Sequence, residues 1–171
     1  MLIAALFSHS EKETHDFAKE FASLLEPGDV VALRGGLGAG KTAFVRGLVE
    51  GLGGEPGEVH SPTFTLVHRY ETRPVFYHLD LYRLEGEEEE LVELGFEEYF
   101  EPRDGIAAVE WAELAGSLLP ARRFDVSIDP EGEGRRVKAV WVGEAAGRRE
   151  RLEAFAAKWL RRQGSGEPQW Q

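Results

Sequence analysis

This chain is organised around one stretch, Gly35-Gly36-Leu37-Gly38-Ala39-Gly40-Lys41-Thr42. It fits the pattern G-x-x-x-x-G-K-[ST], which is typical of a phosphate-binding P-loop. The short, apolar and β-branched run at residues 30–33 predicts a buried strand before the loop. Residues 43–50 then carry apolar side chains at helical spacing. A glycine-rich loop between a strand and a helix indicates a site for a nucleoside triphosphate, and an ordinary Gly-rich turn is the alternative.

The residues of the loop have separate expected tasks at such a site. The glycines let successive backbone N–H groups face an anion, and the N-terminus of the following helix adds its partial positive charge. Lys41 is expected to reach the outer phosphates and to be needed for catalysis, while the Thr42 hydroxyl would ligate Mg²⁺. We therefore predict nucleotide contacts from the whole loop: Gly36, Leu37, Gly38, Ala39, Gly40, Lys41 and Thr42.

Length and composition indicate one domain. A chain of 171 residues can bury a sizeable core, and 42% hydrophobic with 30% charged residues is typical of globular proteins. We predict a single domain over residues 1–163 and a flexible C-terminal tail at residues 164–171. No apolar run approaches the roughly 20 residues that span a bilayer, so no membrane attachment is expected. The chain contains no cysteine, which makes a cytoplasmic location the default expectation.

Periodicity predicts strands and helices that alternate along the chain. Strands are expected at residues 1–7, 29–33, 65–70, 75–84 and 106–109, followed by a β-hairpin from 124 to 142. Helices are expected at residues 10–26, 43–50, 85–100, 111–119 and 148–162. The two strands at 65–84 must be antiparallel, because the turn between them is short. The sequence therefore predicts an α/β fold, a three-layer α/β/α sandwich like that of P-loop NTPases, with a mixed parallel and antiparallel sheet.

Two carboxylates that close apolar strands could complete the site. A P-loop enzyme needs an acidic group at a strand end, which holds the metal directly or through water. Glu110 ends the more buried-looking strand, so we assign it to Mg²⁺. Asp80 could then orient or deprotonate the attacking water. An ordinary strand residue is the alternative for each. Trp111, which directly follows Glu110, could serve core packing or contact a nucleotide or partner.

Hydroxyl groups after a Gly- and Pro-rich loop provide a further candidate element. Ser61 and Thr63 resemble the switch threonine that senses the γ-phosphate in other P-loop proteins, although a Pro turn that starts a strand gives the same pattern. His60, His68 and His78 have no His or Cys partners at metal-ligand spacing. We interpret these three histidines as structural or surface residues.

Taken together, the motifs resemble the TsaE (also called YjeE) family, small bacterial P-loop ATPases of tRNA threonylcarbamoyladenosine synthesis. The P-loop alone would be unspecific, but the order and spacing of several segments match over roughly residues 8–145. The family usually has an acidic residue where this chain has Gly36, and often a second Thr where it has Ala43. The matching segments lie at residues 33–42, 61–66 with Tyr70, 78–84, 93–96 and 109–111.

The resemblance implies a Mg²⁺-dependent ATPase with weak intrinsic activity that binds ATP and ADP. It also implies that Thr42 and Glu110 are Mg²⁺ ligands and that Asp80 is needed for hydrolysis. Trp111 and the loop with Ser61 and Thr63 would belong to a nucleotide-responsive, partner-facing region.

The same resemblance implies two partner proteins, TsaD and TsaB. One transfers threonylcarbamoyl to the adenosine beside the tRNA anticodon, and the other is its dimerising paralogue. ATP hydrolysis would drive or reset this complex between rounds of transfer. Contact with tRNA would be indirect or through the complex, and the net charge of −11 argues against a surface that coats nucleic acid.

Two other functions stay open, a small-molecule P-loop kinase and a nucleotide-binding interaction module without turnover. A kinase usually needs an Arg-rich lid, and the sequence between the P-loop and residue 121 contains no such Arg cluster. A GTPase is disfavoured, because the guanine-reading motif Asn-Lys-x-Asp cannot occur in a chain without asparagine.

Overall fold

The computed structural model describes residues 1–84 and 88–163, and a seven-stranded sheet runs through them. Its strands are β1 (Leu2–Ser8), β2 (Val30–Arg34), β3 (Val67–Tyr70), β4 (Phe76–Asp80), β5 (Ile106–Glu110), β6 (Arg123–Glu131) and β7 (Gly134–Val142). Their order across the sheet is β1-β7-β6-β2-β5-β4-β3. β2 is parallel to β5 and β6, and β4 is parallel to β5. The pairs β1–β7, β6–β7 and β3–β4 are antiparallel, which confirms the predicted mixed sheet.

The direction of the strands decides where a ligand can bind. β1, β2, β4, β5 and β6 all run the same way, so their C-terminal ends lie along one edge of the sheet. β2 and β5 are central, and their apolar side chains are buried, as expected for strands covered on both faces. In open α/β sheets ligands bind beyond this edge, which is where the P-loop follows β2.

Helices cover both faces of the sheet. The α-helices are α1 (Glu11–Phe21), α2 (Lys41–Gly51), α3 (Glu88–Glu93) and α4 (Arg149–Gln163), with 3₁₀ segments at Ala22–Leu24, Pro56–Glu58, Phe96–Phe100 and Ala112–Leu118. On one face, Phe17, Phe44 and Phe155 bring α1, α2 and α4 into one apolar core with the sheet. On the other face, Leu91 and Phe100 belong to a second core under the shorter segments. Within residues 1–84 and 88–163, no helix has the length and apolar character needed to cross a bilayer.

Helix α1 begins at a capped position and packs closely on α2. Ser10 Oγ accepts a hydrogen bond of 3.1 Å from Glu13 N, and the Glu13 carboxylate accepts one of 2.8 Å from His9 N. The first bond satisfies a backbone donor that the helix start leaves unpaired, and the second holds the residue before the N-cap against the first turn. At Gly47 of α2, a Cβ atom would lie only 2.3 Å from the carbonyl oxygen of His15 in α1. A side chain at position 47 would therefore push α2, the helix that starts at the P-loop, away from α1.

A buried ion pair ties the segment before α4 to the start of β2. The Arg148 side chain is only 6% exposed and donates to the two oxygens of Asp29 at 3.0 and 3.1 Å. It also donates to Glu26 at 2.6 Å. Burial raises the pKa of Asp29, and the hydrogen bonds and positive charge of Arg148 oppose that shift. Because both charges are desolvated, removal of Arg148 would leave the Asp29 carboxylate buried without an opposite charge, whereas Arg148 without Asp29 would still pair with Glu26.

The structure departs from the predicted elements mainly after β4 and β5. The strand predicted to reach residue 84 ends at Asp80, whose carboxylate accepts the Tyr82 N–H at 2.9 Å and turns the chain. The helix predicted at 85–100 is α3 plus a 3₁₀ segment, separated at Gly95, where φ is 72°. The helix predicted at 111–119 is a 3₁₀ segment interrupted at Gly116. Residues 85–87 and the predicted tail at 164–171 lie outside the described residues.

Candidate nucleotide-binding site

The P-loop connects β2 to α2 at the edge where the parallel strands end. Gly35 has a φ of +148°, and a Cβ atom there would lie 2.4 Å from the carbonyl oxygen of Ile128 in β6. Only glycine fits where the loop passes this neighbouring strand. Gly40 follows with a φ of 108°, and α2 begins at Lys41. The first N–H groups of a helix lack partners within it, so they and the helix dipole favour an anion at this position.

Lys41 is almost fully buried beside the loop. Its Nζ donates to the carbonyl oxygens of Gly35 at 2.5 Å and Gly36 at 2.9 Å, and it lies 4.2 Å from the centroid of the Trp111 ring. Burial lowers the pKa of Lys41, and the negative charge of Glu110 opposes that shift. The ammonium is thus held by neutral carbonyls and an aromatic ring, and an anionic phosphate would be a stronger partner.

Thr42 and Glu110 are 68 positions apart in the sequence but form a hydrogen bond in the structure. Thr42 Oγ1 donates to Glu110 Oε1 at 3.0 Å, and Nε2 of His78 lies 3.1 Å from the same oxygen. Glu110 is 3% exposed and His78 is fully buried. The fold therefore brings the two predicted metal ligands into contact. Of the two interpretations of His78, structural or surface, its full burial supports the structural one, and its contact with Glu110 is one that the sequence does not predict.

Asp80 lies next to Glu110 because the two are register partners in the parallel strands β4 and β5. Its Oδ2 accepts hydrogen bonds from Ser61 Oγ at 2.6 Å and Thr63 Oγ1 at 3.2 Å, and its Oδ1 accepts the one from the Tyr82 backbone. Asp80 is only 3% exposed and accepts three hydrogen bonds, which argues against the alternative of an ordinary strand residue. The loop with the candidate switch residues Ser61 and Thr63 is therefore hydrogen-bonded to the candidate catalytic carboxylate of Asp80.

A cavity of about 380 Å³ lies between the P-loop and these strand ends. Cavities of roughly 300–1,000 Å³ are typical of small-molecule sites. Gly36 does not line the cavity and turns its carbonyl oxygen to Lys41 instead. The lining includes the other predicted site residues: Leu37, Gly38, Ala39, Gly40, Lys41, Thr42, Ser61, Thr63, Asp80, Glu110 and Trp111.

Trp111 adopts an unusual backbone conformation at the edge of the cavity. Its φ of 58° lies in the left-handed region, which costs a non-glycine residue about 1–2 kcal/mol. This conformation places the indole under the Lys41 ammonium, and the centroid of the Tyr82 ring lies 5.0 Å from that of Trp111. Backbone strain of this kind is often found at functional sites, which supports a contact role over simple core packing.

Comparison with known proteins identifies the family. A family model described as "Threonylcarbamoyl adenosine biosynthesis protein TsaE" matches residues 8–137, which is most of the chain. The chain belongs to the TsaE family. The resemblance inferred from the motifs is thereby confirmed.

Individual relatives agree with this TsaE assignment. Proteins named "tRNA threonylcarbamoyladenosine biosynthesis protein TsaE" from Bacillus subtilis and Rickettsia bellii are 44% and 40% identical over 126 and 139 residues. These matches cover 73% and 80% of this chain and 77% and 94% of the relatives. The crystal structure of YdiB from Bacillus subtilis has a TM-score of 0.69 and 32% identity, and the alignment covers 95% of this chain and 97% of that one. The α/β fold with a mixed sheet is therefore shared with a solved structure.

In this TsaE family member, contacts in three dimensions add residues that the sequence patterns did not identify. His78 precedes Asp80 by two positions, and such residues lie on the same face of a strand, so that spacing could have located it. Arg135, at the start of β7, donates from Nη2 to the Gly38 carbonyl oxygen at 3.3 Å across 97 positions, for which no local signal exists. Further side chains line the cavity: Glu11, Arg46, His60 and Tyr82.

A larger groove of about 490 Å³ lies between α1 and α4. Its lining residues come from α1, the C-terminal end of α2, and α4, and none of them is a predicted site residue. An anion would have to break existing ion pairs to bind there. Its basic side chains are already paired with carboxylates: Lys19 with Glu50, Lys158 with Glu20 and Arg151 with Glu26.

Proposed function

We propose that this chain is a Mg²⁺-dependent ATPase whose nucleotide cycle drives or resets the protein complex that adds threonylcarbamoyl to the adenosine next to the tRNA anticodon. One observation carries the ATPase part, the 3.0 Å hydrogen bond from Thr42 Oγ1 to Glu110 Oε1. It joins a P-loop hydroxyl to a strand-end carboxylate, the two kinds of group that surround Mg²⁺ in P-loop NTPases. The names of the relatives supply the pathway.

The donor atoms at this position suit Mg²⁺. The hydroxyl of Thr42 and the carboxylate of Glu110 are hard oxygen ligands, and a site with so few protein ligands is typical of a Mg²⁺ that keeps waters and binds phosphate oxygens. Within residues 1–84 and 88–163, no group of three or more His, Cys, Asp or Glu side chains offers an all-protein metal cage. When bound, Mg²⁺ neutralises charge on the β- and γ-phosphates.

The loop would bind the triphosphate through groups that are already in place. The first turn of α2, with Lys41, Thr42 and Ala43, lines the cavity, and the unpaired N–H groups and dipole of a helix start favour negative charge there. Lys41 would leave the carbonyl oxygens of Gly35 and Gly36 for the outer phosphate oxygens, because bonds to charged acceptors are stronger. ATP binding therefore exchanges internal loop contacts of Lys41 for contacts with the ligand.

Asp80 is positioned to act on the attacking water. A carboxylate has about four acceptor sites, and three of those of Asp80 are used by Ser61, Thr63 and Tyr82. The remaining site could accept a hydrogen bond from a water molecule. The water oxygen then bonds to the γ-phosphorus, the bond from that phosphorus to the bridging oxygen breaks, and ADP leaves with this oxygen. Asp80 orients the water or accepts its proton.

The same contacts would connect the nucleotide to partner proteins, for which we propose TsaD and TsaB. Ser61 and Thr63 hold Asp80, and Phe64, the next residue along the same loop, is 81% exposed to solvent. Leu37 in the P-loop is 71% exposed. A change at the γ-phosphate would thus alter a loop with an apolar exposed side chain, which suits contact with another protein. Contact with tRNA would be indirect or through the complex.

Phosphate release from ATP tests this proposal. We expect slow phosphate release by the purified chain with Mg²⁺ and a clear rise when purified TsaD and TsaB are added. The proposed reason is that partners bind the loop with Ser61 and Thr63, which holds Asp80 in position. The Lys41→Ala variant, measured with the same partners, gives the background rate. No rise with partners would refute the complex-dependent ATPase, and phosphate transferred to an added metabolite would indicate a kinase instead.

A further inference from the structure

The side chain of His78 is buried in the sheet directly behind the candidate metal ligands. It is fully buried, and it does not line the cavity. In the register of the parallel strands β4 and β5, His78 is paired with Ala108 and Asp80 with Glu110. His78 therefore lies two register pairs deeper in the sheet than the two carboxylates, on the strand that ends in Asp80. From there its Nε2 atom reaches Glu110 Oε1 at 3.1 Å.

The contact determines which nitrogen of His78 carries the proton. An ionised carboxylate only accepts hydrogen bonds, so Nε2 must be the N–H donor to Glu110. Nδ1 is buried and has no hydrogen-bond partner among the described residues. An unsatisfied buried acceptor is unfavourable, and the ring contact of His78 with Tyr70 is one that an apolar side chain could also make. The polar contact with Glu110 is thus what distinguishes histidine from an apolar residue here.

Two donors converge on one oxygen of Glu110. Thr42 Oγ1 and His78 Nε2 both bond Oε1, at 3.0 and 3.1 Å, one from the cavity side and one from inside the sheet. Two bonds from different elements restrict rotation of the carboxylate about its last bond. Among the described residues, Oε2 accepts no hydrogen bond, so the second oxygen stays available for a metal ion or its water.

From this geometry we infer that His78 is a positioning residue for Mg²⁺: it holds the Glu110 carboxylate in one orientation and thereby raises the affinity of the nucleotide site for the ion. The inference rests on the proposed function, because it takes Glu110 to be a metal ligand. His78 itself does not touch the metal, since its second nitrogen is buried away from the cavity. In metal sites, such outer contacts orient the ligands, and their loss typically lowers metal affinity by about 10- to 100-fold.

The test is a Mg²⁺ titration of nucleotide binding, followed with a fluorescent ADP analogue on the full chain. His78→Leu removes the donor at similar volume, whereas His78→Gln keeps an N–H that can reach Glu110. His68→Leu is the matched control, since His68 is the register partner of His78 on β3. We expect the apparent Mg²⁺ dissociation constant to rise about 10- to 100-fold in His78→Leu and to stay within a few-fold of wild type in His78→Gln and His68→Leu. Affinity for the analogue in EDTA should not change.

The titration tests two hypotheses separately, the proposed Mg²⁺ site and the positioning role of His78. If binding by the wild-type chain does not depend on Mg²⁺, the proposed metal site fails. If wild type depends on Mg²⁺ but His78→Leu titrates identically, or if its affinity in EDTA falls equally, the positioning role of His78 is wrong. Should His78→Leu not fold, wild-type imidazole NMR replaces it: the Nε2–H tautomer must be present, and its proton resonance must shift when Mg²⁺ is added to the ADP complex. The other tautomer, or no shift, overturns the inference.

Discussion

Replacing Asp80 with Asn separates the chemical role of this residue from its structural role. The amide oxygen can still accept from the Tyr82 backbone, and the Ser61 and Thr63 hydroxyls can rotate to accept from the amide nitrogen. Hydrogen bonds to a charged group contribute about 1.5–3 kcal/mol and neutral ones about 0.5–1.5 kcal/mol. Each exchange thus costs about 1–1.5 kcal/mol, and exchange of all three bonds should lower the free energy of unfolding by about 3–4.5 kcal/mol in urea denaturation.

The expected effect of Asp80→Asn on turnover is much larger. General-base and water-orienting groups typically contribute about 10²–10⁴-fold in rate, which equals about 2.7–5.4 kcal/mol of activation free energy. We expect single-turnover ATP hydrolysis to fall by at least a hundredfold, while calorimetry shows ATP affinity within about threefold of wild type, because Lys41 and the loop are unchanged.

The Asp80→Ala variant is the comparison. It should lose the same turnover but more stability, since its three donors then have no acceptor. Hydrolysis within tenfold of wild type in Asp80→Asn, or a parallel loss of ATP affinity, would refute the hydrolytic role.

Further changes test the loop, the helix packing and the buried ion pair. Lys41→Ala should weaken ATP binding about 10- to 100-fold by calorimetry, as expected for loss of a charge-assisted bond, and unchanged affinity would contradict its phosphate role. Gly47→Ala places a Cβ atom 2.3 Å from a carbonyl oxygen of α1 and should cost about 1–3 kcal/mol of stability, whereas Gly57→Ala, with open space around it, should not. Arg148→Ala should cost about 3–5 kcal/mol at pH 7 by leaving the Asp29 charge unpaired. Burial raises the pKa of Asp29 and Arg148 opposes that shift, so this pKa should rise further in the variant; the loss should then shrink as the pH falls and the carboxyl group becomes neutral, and a loss that does not change with pH would argue against it.

The sequence predicts most of the fold because its strongest signals are local. The run before Gly35 is apolar and β-branched, and the residues after Thr42 have helical spacing, so β2 and α2 follow from short-range patterns. The short turn after Tyr70 correctly predicts an antiparallel pair. The segment from Trp111 is less predictable, because its left-handed start and the interruption at Gly116 depend on packing around the site.

The candidate site is less accessible to sequence reasoning. The sequence identifies Asp80 and Glu110 as strand-end carboxylates, but their register pairing follows only from the order of β2, β5 and β4 in the sheet. The contact between His78 and Glu110 depends on the same long-range pairing. Arg135 reaches the P-loop only because β7 begins at the edge where β2 and β6 end. Such contacts can be identified only when the order and register of the strands in the sheet are known.

We propose that ATP hydrolysis by this chain allows the complex with TsaD and TsaB to work for more than one round. The most direct measurement counts threonylcarbamoylated adenosines formed per complex, with purified TsaD, TsaB, tRNA and a threonylcarbamoyl donor in excess. With ATP and the wild-type chain, the count should exceed one and keep rising. With a non-hydrolysable ATP analogue, or with the Asp80→Asn variant, it should stop at no more than one per complex. Continued rounds under either of these conditions would contradict the account.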